Sequence, residues 1–455
     1  MSRLQLAFYG DDFTGSTDSM EALAFAGIRT ALFLAPPEPR HLQGRFAGLQ
    51  ALGIAGSSRS MNPAQMEAEL RPKFELLKQF APPLVHYKVC STFDSSPQVG
   101  SIGRAMEIGQ AIFASSFVPL VVGAPVLRRY VAFGNLFATV GDDTFRIDRH
   151  PTMSRHPVTP MNESDLRRHL AQQSDRAVAL FDLLHLAGAD AEIDARFAEL
   201  LAQQPEIVLF DTLDDEHLAQ IGRLLWPLAQ QGAEPMFVAG SSGVEYALIA
   251  HWRRQGLLGA ASPSPSAQPV DQIVVVSGSG APVTAEQIEW ARHNGFAAIR
   301  MESAALIDPA QAEAAREQAI RDALDALAQG QSVTLFSAQG PDDPTIAATR
   351  RRADELGLMG NSAGQRLAEE QGKVLQTILH KTGLRRACIA GGDTCSYAAP
   401  QLGIYALEAM TPLAPGGPLC RASSEQAAMD GIEIVLKGGQ VGKADYFGKI
   451  RAGRA

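Results

Sequence analysis

The chain has 455 residues, of which 46% are hydrophobic, 20% are charged and 7% are aromatic. This is the composition of an ordinary globular protein, and it excludes a disordered or fibrous chain; the length fits two or three domains. The net charge of −9 has the wrong sign for a protein that follows a nucleic-acid backbone, so we expect no nucleic-acid partner.

Cysteine usage and hydropathy indicate the compartment. Four cysteines (Cys90, Cys388, Cys395 and Cys420) are too few for a disulfide scaffold, and no CxxC pair completes a zinc site. The first residues lack the basic start and apolar region of a signal peptide, and no stretch approaches the length of a membrane span. We therefore expect a reduced, soluble, cytoplasmic protein with no membrane contact.

Short apolar runs alternate with stretches of helical periodicity over the first 240 residues. Alternation of this kind predicts a parallel sheet with helices on its faces. The predicted strands are Leu4–Tyr9, Ala31–Leu34, Leu52–Ala55, Leu84–Lys88, Val118–Val122, Ala177–Phe181, Ile207–Asp211 and Met236–Ala239, and the predicted helices are Ser19–Ala26, Pro63–Phe80 and Gly103–Phe113.

A stretch rich in proline, serine and alanine, 259–269, interrupts the pattern and cannot bury a face. Beyond it the alternation resumes. The predicted strands there are Ile273–Ser277, Ala298–Arg300, Val333–Ser337, Arg386–Ala390 and Ile432–Leu436, with long helices at Gln311–Gln329 and Asn361–Thr382.

These patterns predict an α/β protein of two domains, each a mainly parallel sheet flanked by helices. We place an N-terminal domain at 1–260, a linker at 261–269 and a C-terminal domain at 270–455. Two such domains favour an active site in the cleft between them. Since ligands bind beyond the carboxyl ends of parallel strands, the segment after each strand is the place to look for chemistry.

The first strand is followed by the segment GDDFTGSTD at 10–18. Its two acids, Asp11 and Asp12, stand between glycines that let a ligand approach the backbone. These carboxylates could bind substrate hydroxyls, accept a proton or hold Mg²⁺. Helix capping by Thr17 or Asp18 is the alternative, although it accounts for one polar residue and not for the pair of acids.

Two further strand ends in the N-terminal domain carry cations. Arg59, in the segment SSRS, offers a planar fork for a carboxylate or phosphate. The segment HYKVCSTFDSS at 86–96 combines Lys88 with hydroxyls and an acid, which suits an acidic polyol; a salt bridge between Lys88 and Asp94 is the structural alternative. We interpret Cys90 as a packed thiol rather than a nucleophile, because no base lies beside it in the sequence.

Two other loops of this domain are weaker candidates. His156 lies in the proline-rich loop HPVTPM, where a histidine fixed by hydrogen bonds is at least as plausible as a general base. The turn GSSG at 240–243 suits phosphate or substrate oxygens, or is simply a tight turn.

Three glycine turns follow strands of the C-terminal domain. They are VVSGSGAPVT at 275–284, GGDT at 391–394 and the turn that begins KGG at 437. The first lacks the third glycine of a dinucleotide fingerprint, and the last has neither the glycine spacing nor the Ser or Thr of a P-loop. Together on one sheet they favour a nucleotide site, with GGDT as the main phosphate loop.

Taken together, these motifs resemble the four-carbon acid sugar kinase family. The resemblance runs nearly end to end, through GDDFTGSTD, KVCSTFDSS, GSIGR, HPVTPM, GSSG, VVSGSGAPVT, GGDT and the closing LKGGQVGKADYF. It implies an ATP-dependent kinase acting on D-threonate, D-erythronate, a 3-oxo-tetronate or a close branched relative. It also implies that the N-terminal domain binds the sugar acid and the C-terminal domain binds ATP.

The resemblance also implies site residues. Asp11, Arg59 and the segment Lys88, Val89, Cys90 and Ser91 resemble the family's substrate contacts. Ser277, Gly391, Gly392, Asp393, Thr394 and Gly439 resemble its ATP contacts. Asp393 stands where the family commonly has glutamate, and the last glycine turn departs from the commoner Ser-Gly-Asn-Phe-Gly.

We therefore expect phosphoryl transfer from ATP with Mg²⁺ to a hydroxyl of a small sugar acid. In this hypothesis Arg59 and Lys88 hold the substrate carboxylate. Asp11 or Asp12 binds the hydroxyl, one of them acting as the base, and Asp393 lies near a metal whose ligands are otherwise unassigned. A sugar-acid dehydrogenase or dehydratase, and a non-catalytic sensor of nucleotide and metabolite, are the alternatives. The sequence does not determine the oligomeric state, and a homodimer is one possibility.

Overall fold

The computed structural model describes residues 4–156, 158–258, 266–360 and 362–455. Residues 261–265 of the predicted linker, Pro157 of the HPVTPM loop and Asn361 at the start of a predicted helix lie outside the described residues. The chain folds into two compact units, which we call the N-terminal unit and the C-terminal unit. The N-terminal unit comprises Met1–Asp11, Ala22–Ala31 and Pro36–Ser262, and the C-terminal unit comprises Asp12–Glu21, Leu32–Ala35 and Pro263–Ala455.

The elements up to residue 258 alternate as the sequence predicts, with an added antiparallel insertion. The strands are β1 Leu6–Gly10, β2 Thr30–Phe33, β3 Ala51–Ala55, β4 Leu84–Lys88, β5 Val118–Val121, β6 Arg129–Ala132, β7 Asn135–Val140, β8 Asp143–Arg146, β9 Val178–Phe181, β10 Ile207–Phe210 and β11 Met236–Gly240. The helices are α1 Phe13–Phe25, α2 Pro39–Gln43, α3 Pro63–Gln79, α4 Ile102–Phe113, α5 Leu166–Leu170, α6 Asp190–Ala202, α7 Asp215–Gln231 and α8 Gly243–Arg254.

The main sheet of the N-terminal unit is parallel, in the order β3-β1-β4-β11-β5-β10-β9. Its central strands are buried along their whole length, as expected for a sheet covered by helices on both faces. Strands β6, β7 and β8 form a separate antiparallel sheet. The order β3-β1-β4 sets the loops that follow these three strands side by side.

The elements after residue 266 repeat the alternation. The strands are β12 Val274–Ser277, β13 Phe296–Arg300, β14 Ser332–Phe336, β15 Arg386–Ala390, β16 Ile404–Thr411, β17 Leu419–Ser424 and β18 Glu433–Lys437. The helices are α9 Pro282–Arg292, α10 Ser303–Leu306, α11 Ala312–Ala328, α12 Pro344–Glu355, α13 Ser362–Thr382, α14 Gly392–Ala398 and α15 Tyr446–Ala452.

The sheet of the C-terminal unit is parallel in the order β13-β14-β12-β15-β18 and continues antiparallel through β17 and β16. Leu32 and Phe33 of β2 extend it by pairing antiparallel with β16. The α/β fold class is therefore confirmed, with antiparallel strands that the sequence pattern did not predict. Within the part of the chain that the structure describes, no helix is both long and apolar enough to cross a membrane.

Helix α1 begins six residues earlier than predicted, at Phe13 rather than Ser19. The Asp12 carboxylate caps it, because Oδ1 accepts the Gly15 amide at 2.6 Å and Oδ2 accepts the Thr14 hydroxyl at 2.8 Å. The capping alternative that named Thr17 or Asp18 is wrong. Thr17 lies inside the helix, where its hydroxyl donates to the Thr14 carbonyl.

Candidate functional site

The predicted substrate contacts lie on neighbouring loops at the carboxyl ends of β1, β3 and β4. The Asp11 amide donates to the Lys88 carbonyl at 2.9 Å, and the Arg59 amide donates to the Asp11 carbonyl at 3.1 Å. The Val89 amide donates to the Gly240 carbonyl at 2.7 Å, which adds the GSSG turn after β11. The strand order thus gathers in one place residues that lie between Asp11 and Gly240 in the sequence.

Lys88 is buried, with 1% of its surface exposed, and its Nζ donates to the Val89 carbonyl at 3.0 Å. Asp11 is likewise buried. The segment then turns, with the Cys90 carbonyl accepting the Phe93 amide at 2.9 Å and the Cys90 Sγ lying 2.9 Å from the Thr92 hydroxyl. Ser91 is half-buried at this turn. Cations, hydroxyls and an acid therefore share one corner of the N-terminal unit.

Arg59 forms an ion pair with Asp94, which is not among the predicted site residues. The Asp94 side chain is fully buried, whereas 26% of the Arg59 side chain is exposed. Burial by itself raises the pKa of Asp94, but the Arg59 guanidinium and the Thr92 hydroxyl outweigh that effect and hold the pKa below its ordinary value. Asp94 is therefore a carboxylate at neutral pH.

The HPVTPM loop reaches the same carboxylate. The Thr159 hydroxyl lies 3.4 Å from Asp94 Oδ2 and 3.0 Å from His156 Nδ1. His156 Nδ1 also accepts the Thr159 amide at 3.1 Å, so the histidine is held by its own loop. The order of the motifs HPVTPM and KVCSTFDSS in the chain gave no sign that they meet.

Three glycine turns lie together in the C-terminal unit, as the strand order β12-β15-β18 requires. We call them the three-turn cluster, defined by 277–279, 391–394 and 437–439. The Gly278 amide donates to the Ala390 carbonyl at 3.1 Å, and the Gly391 amide donates to the Lys437 carbonyl at 2.9 Å. A Cβ on Gly439 would lie 2.8 Å from the Ser279 hydroxyl.

Glycine is required where these turns approach each other. A Cβ on Gly278 would lie 2.2 Å from the Thr394 hydroxyl, and one on Gly391 would lie 2.8 Å from the same oxygen. Gly391 also has φ of 120°, a conformation that side chains disfavour. Ser277 is buried, and Asp393 is exposed at the start of α14. The predicted nucleotide contacts therefore lie close together in the C-terminal unit.

Lys437, the first residue of the third turn of the three-turn cluster, is buried. Its Nζ donates to the Thr284 hydroxyl at 3.0 Å, and that hydroxyl donates to the Gly439 carbonyl at 2.8 Å. Burial lowers the pKa of Lys437 to about 8. Gln287, one helical turn along α9, donates to the Val441 carbonyl at 2.9 Å. The roles of Thr284 and Gln287 were not predicted, although their spacing of three on α9 places them on one face.

Asp12 belongs to the C-terminal unit, beside the three-turn cluster. Its Oδ2 lies 3.6 Å from the position that a Cβ on Gly392 would take, and the Thr14 hydroxyl lies 3.9 Å from it. Asp11 belongs to the N-terminal unit. Asp11 and Asp12, which were predicted as alternative candidates for binding the substrate hydroxyl and acting as the base, therefore lie in different units.

Comparison with known proteins also divides the chain into two domains, although the boundary along the chain is simpler than that between the two compact units. A sugar-binding N-terminal domain family matches residues 6–248, and a nucleotide-binding C-terminal domain family matches residues 274–447. The chain is 48% identical over 451 residues to a 3-oxo-isoapionate kinase of Paraburkholderia graminis, and this match covers 99% of the chain and 95% of the relative. It is 28% identical over 448 residues to a 3-oxo-tetronate kinase of Pseudomonas savastanoi pv. phaseolicola, covering 98% and 97%.

Solved structures share the fold. A crystal structure of a Salmonella typhimurium LT2 protein has a TM-score of 0.77 and 23% identity, covering 99% of both chains. The prediction of a sugar-acid kinase, made from the motifs, is confirmed by the curated relatives. The chain belongs to the four-carbon acid sugar kinase family, whose members join a sugar-binding N-terminal domain to a nucleotide-binding C-terminal domain.

Proposed function

We propose that this protein is an ATP-dependent kinase for a branched 3-oxo sugar acid of the 3-oxo-isoapionate class, with 3-oxo-tetronates as weaker substrates. The observation that carries the proposal is the 48% identity with a 3-oxo-isoapionate kinase over 99% of this chain. The 3-oxo-tetronate kinases of Pseudomonas savastanoi and Cupriavidus necator share 28% and 29% over similar lengths.

The chemistry of the N-terminal unit supports its role as the acid-binding part. Arg59 and Lys88 are the cations of the corner formed by the loops after β1, β3 and β4, and a carboxylate substrate needs such charges. Asp11, Ser91 and the backbone of Val89 and Cys90 supply the polar atoms that a polyhydroxy acid requires.

The three-turn cluster supports nucleotide binding by the C-terminal unit. Polyphosphates are bound by backbone amides, and glycines let the backbone come close to the phosphate oxygens. In this proposal Ser277, Gly391, Gly392, Thr394 and Gly439 contact ATP. The buried Lys437 adds a positive charge in the third turn, with no solvent to screen it.

In this proposal Mg²⁺ binds together with ATP. Among the described residues, no group of three or more His, Cys, Asp or Glu side chains is arranged to hold a metal ion. Enzymes that use ATP usually hold Mg²⁺ through one or two carboxylates, several waters and the phosphates of the nucleotide. Asp393, exposed at the turn, and Asp12, beside Gly392, would supply those carboxylates. The ion would neutralise charge on the phosphates.

The reaction breaks the bond between the terminal phosphorus and the bridging oxygen of ATP and forms a bond from that phosphorus to a substrate hydroxyl oxygen. ADP leaves, and the hydroxyl proton passes to a carboxylate. We assign that proton to Asp11, which belongs to the N-terminal unit together with the proposed substrate contacts Arg59 and Lys88. The protein contributes mainly positioning and charge neutralisation, which is what phosphoryl transfer needs.

The test is a coupled assay of ADP release with 3-oxo-isoapionate, 3-oxo-tetronate, D-threonate and D-erythronate. The expected result is Mg²⁺-dependent turnover with the highest kcat/KM for 3-oxo-isoapionate. A higher kcat/KM for an unbranched acid would contradict the proposed substrate. Absence of ADP release with every acid, or a requirement for a nicotinamide, would contradict kinase function for this chain.

The location in the cytoplasm, inferred from cysteine usage, and a homodimeric assembly stay predictions. Light scattering on the purified protein measures its oligomeric state directly.

A further inference from the structure

Asp94 is a buried carboxylate outside the predicted set of substrate contacts. Its two oxygens accept hydrogen bonds from side chains on three separate loops of the N-terminal unit. These side chains are Arg59 after β3, Thr92 after β4, and Thr159 ahead of α5. We call these four residues the Asp94 cluster. We propose that Asp94 is a positioning residue that fixes the Arg59 guanidinium where the substrate carboxylate binds; the inference rests on the proposed function.

The hydrogen bonds of the Asp94 cluster define the direction of the carboxylate. Oδ2 accepts from Arg59 Nη2 and lies 3.4 Å from the Thr159 hydroxyl, and Oδ1 accepts from the Thr92 hydroxyl at 2.5 Å. A carboxylate has about four acceptor positions, so one group can hold all three donors. The Asp94 side chain is fully buried, so water does not compete for these positions.

The backbone beside Asp94 is fixed as well. Phe93 has φ of 57°, in the left-handed region that residues other than glycine rarely adopt. It is fully buried, and its ring packs edge-on against His169, with ring centroids 6.0 Å apart. His169 Nε2 lies 2.9 Å from the hydroxyl of Ser95, on the other side of Asp94 in the chain. Strained backbone persists only where its surroundings enforce it, so the orientation of Asp94 is imposed by packing on both sides.

The charge arrangement suits a positioning role. A guanidinium has five N–H donors in a rigid plane. An anion that binds one nitrogen therefore fixes the orientation of that plane and leaves the other N–H groups to bind a second anion. The Arg59 side chain is one quarter exposed, whereas Asp94 is buried. A ligand therefore reaches Arg59 and not Asp94, and Asp94 acts through Arg59.

The test is a double-mutant cycle of Asp94→Asn and Arg59→Ala, with KM for 3-oxo-isoapionate and for ATP measured in each protein. Asp94→Asn keeps the shape of the side chain and removes its charge. We expect it to raise the sugar-acid KM about tenfold while the ATP KM stays within about twofold. In the Arg59→Ala background the same substitution should add less than about twofold, because its effect passes through Arg59.

The matched control is Asp148→Asn, which breaks another Asp–Arg pair of the N-terminal unit, with Arg146 at 2.6 Å. We expect no change in either KM. The inference is overturned if the effects of Asp94→Asn and Arg59→Ala multiply, or if Asp94→Asn weakens the use of both substrates equally. Multiplying effects would indicate a merely structural role.

Thermal unfolding shows whether Asp94→Asn folds. If it does not, Thr92→Val decides the question, because it removes one donor to Asp94 and keeps the carboxylate. A rise in the sugar-acid KM alone is then expected, and an unchanged KM overturns the inference. Failure of the proposed function is recognised separately, since the unmodified protein would then phosphorylate none of the acids.

Discussion

At the scale of single residues, the ion pair of Arg59 fixes a positive charge that would otherwise move freely in solvent. Three quarters of the side chain is buried, and its partner Asp94 is fully so. A charge held in this way loses little side-chain entropy when an anion binds. Arg59 is therefore the strongest candidate for the carboxylate contact.

Substituting Arg59→Ala should raise the KM for the sugar acid about tenfold or more, since a hydrogen bond to a charged group is lost. The KM for ATP should stay within about twofold of its original value. Arg71→Ala, which removes a more exposed arginine from α3, is the control. Steady-state kinetics with each substrate varied in turn measure both constants, and equal rises in the two would contradict the assigned role.

Glu21 is a second residue whose environment makes a measurable prediction. It lies on α1 in the C-terminal unit, where its Oε2 accepts the Gly416 amide at 2.9 Å. Burial, with the nearby Asp18 carboxylate, raises the pKa of Glu21 from its ordinary 4.5 to about 8. Because the folded protein keeps a proton that the unfolded chain has lost, the contribution of Glu21 to stability is full below about pH 4.5 and is lost as pH rises toward 8.

Glu21→Gln should abolish this pH dependence, because the amide stays neutral and still accepts the Gly416 amide. Between pH 5 and pH 8, the free energy of unfolding of the variant should therefore rise relative to that of the unmodified protein, by at most about 1.4 kcal/mol for each pH unit. Urea unfolding at several pH values measures the difference. Parallel pH profiles for the two proteins would show that Glu21 does not titrate in this range.

At the scale of elements, strand order decides which loops meet. The order β12-β15-β18 sets three glycine turns side by side, and their close approach leaves no room for a side chain at Gly278. The fold here needs glycine for packing of turn against turn, not only for backbone conformation.

Gly278→Ala should therefore displace the turn 391–394, because the new Cβ would lie 2.2 Å from the Thr394 hydroxyl. We expect the ATP KM to rise about tenfold and the sugar-acid KM to stay nearly unchanged. Gly280→Ala is the matched control in the same segment, since its nearest neighbour would be 3.4 Å away. Comparable losses in the two variants would contradict the packing argument.

The antiparallel elements show the limit of pattern reading at this scale. Strands β6, β7 and β8 form short hairpins with a turn at Phe133 and Gly134, both of which have positive φ. Strands β16 and β17 likewise interrupt the parallel order. No helix lies between β6 and β7, between β7 and β8, or between β16 and β17, so the rule that strands alternate with helices missed them.

At the scale of the whole molecule, the chain does not divide at a single point. Asp12–Glu21 and Leu32–Ala35 pack with the C-terminal unit, although they lie near the start of the chain. Leu32 and Phe33 pair with β16 at the edge of the sheet, and the Glu21 carboxyl group accepts the Gly416 amide. The C-terminal unit is therefore incomplete without residues from near the start of the chain.

A fragment of residues 266–455 should fold less stably than the same unit in the full chain. It would leave the edge of β16 unpaired, and an unpaired edge strand promotes aggregation. Circular dichroism and gel filtration measure the folding, and ATP-induced thermal stabilisation should be weak or absent. A monomeric fragment that melts cooperatively and binds ATP as the full chain does would contradict this prediction.

The sequence by itself determined the α/β class, the strands that carry the site and the motifs that lead to the family. These features are local: burial on both faces gives apolar runs, and each strand end carries its own polar residues. Only the tertiary structure decided that Asp94 pairs with Arg59, that Asp12 lies beside Gly392, and that Lys437 lies buried against Thr284. The reason is physical, because these contacts depend on the order of strands in each sheet, and that order is set by packing across the whole unit and leaves no periodic mark in the chain.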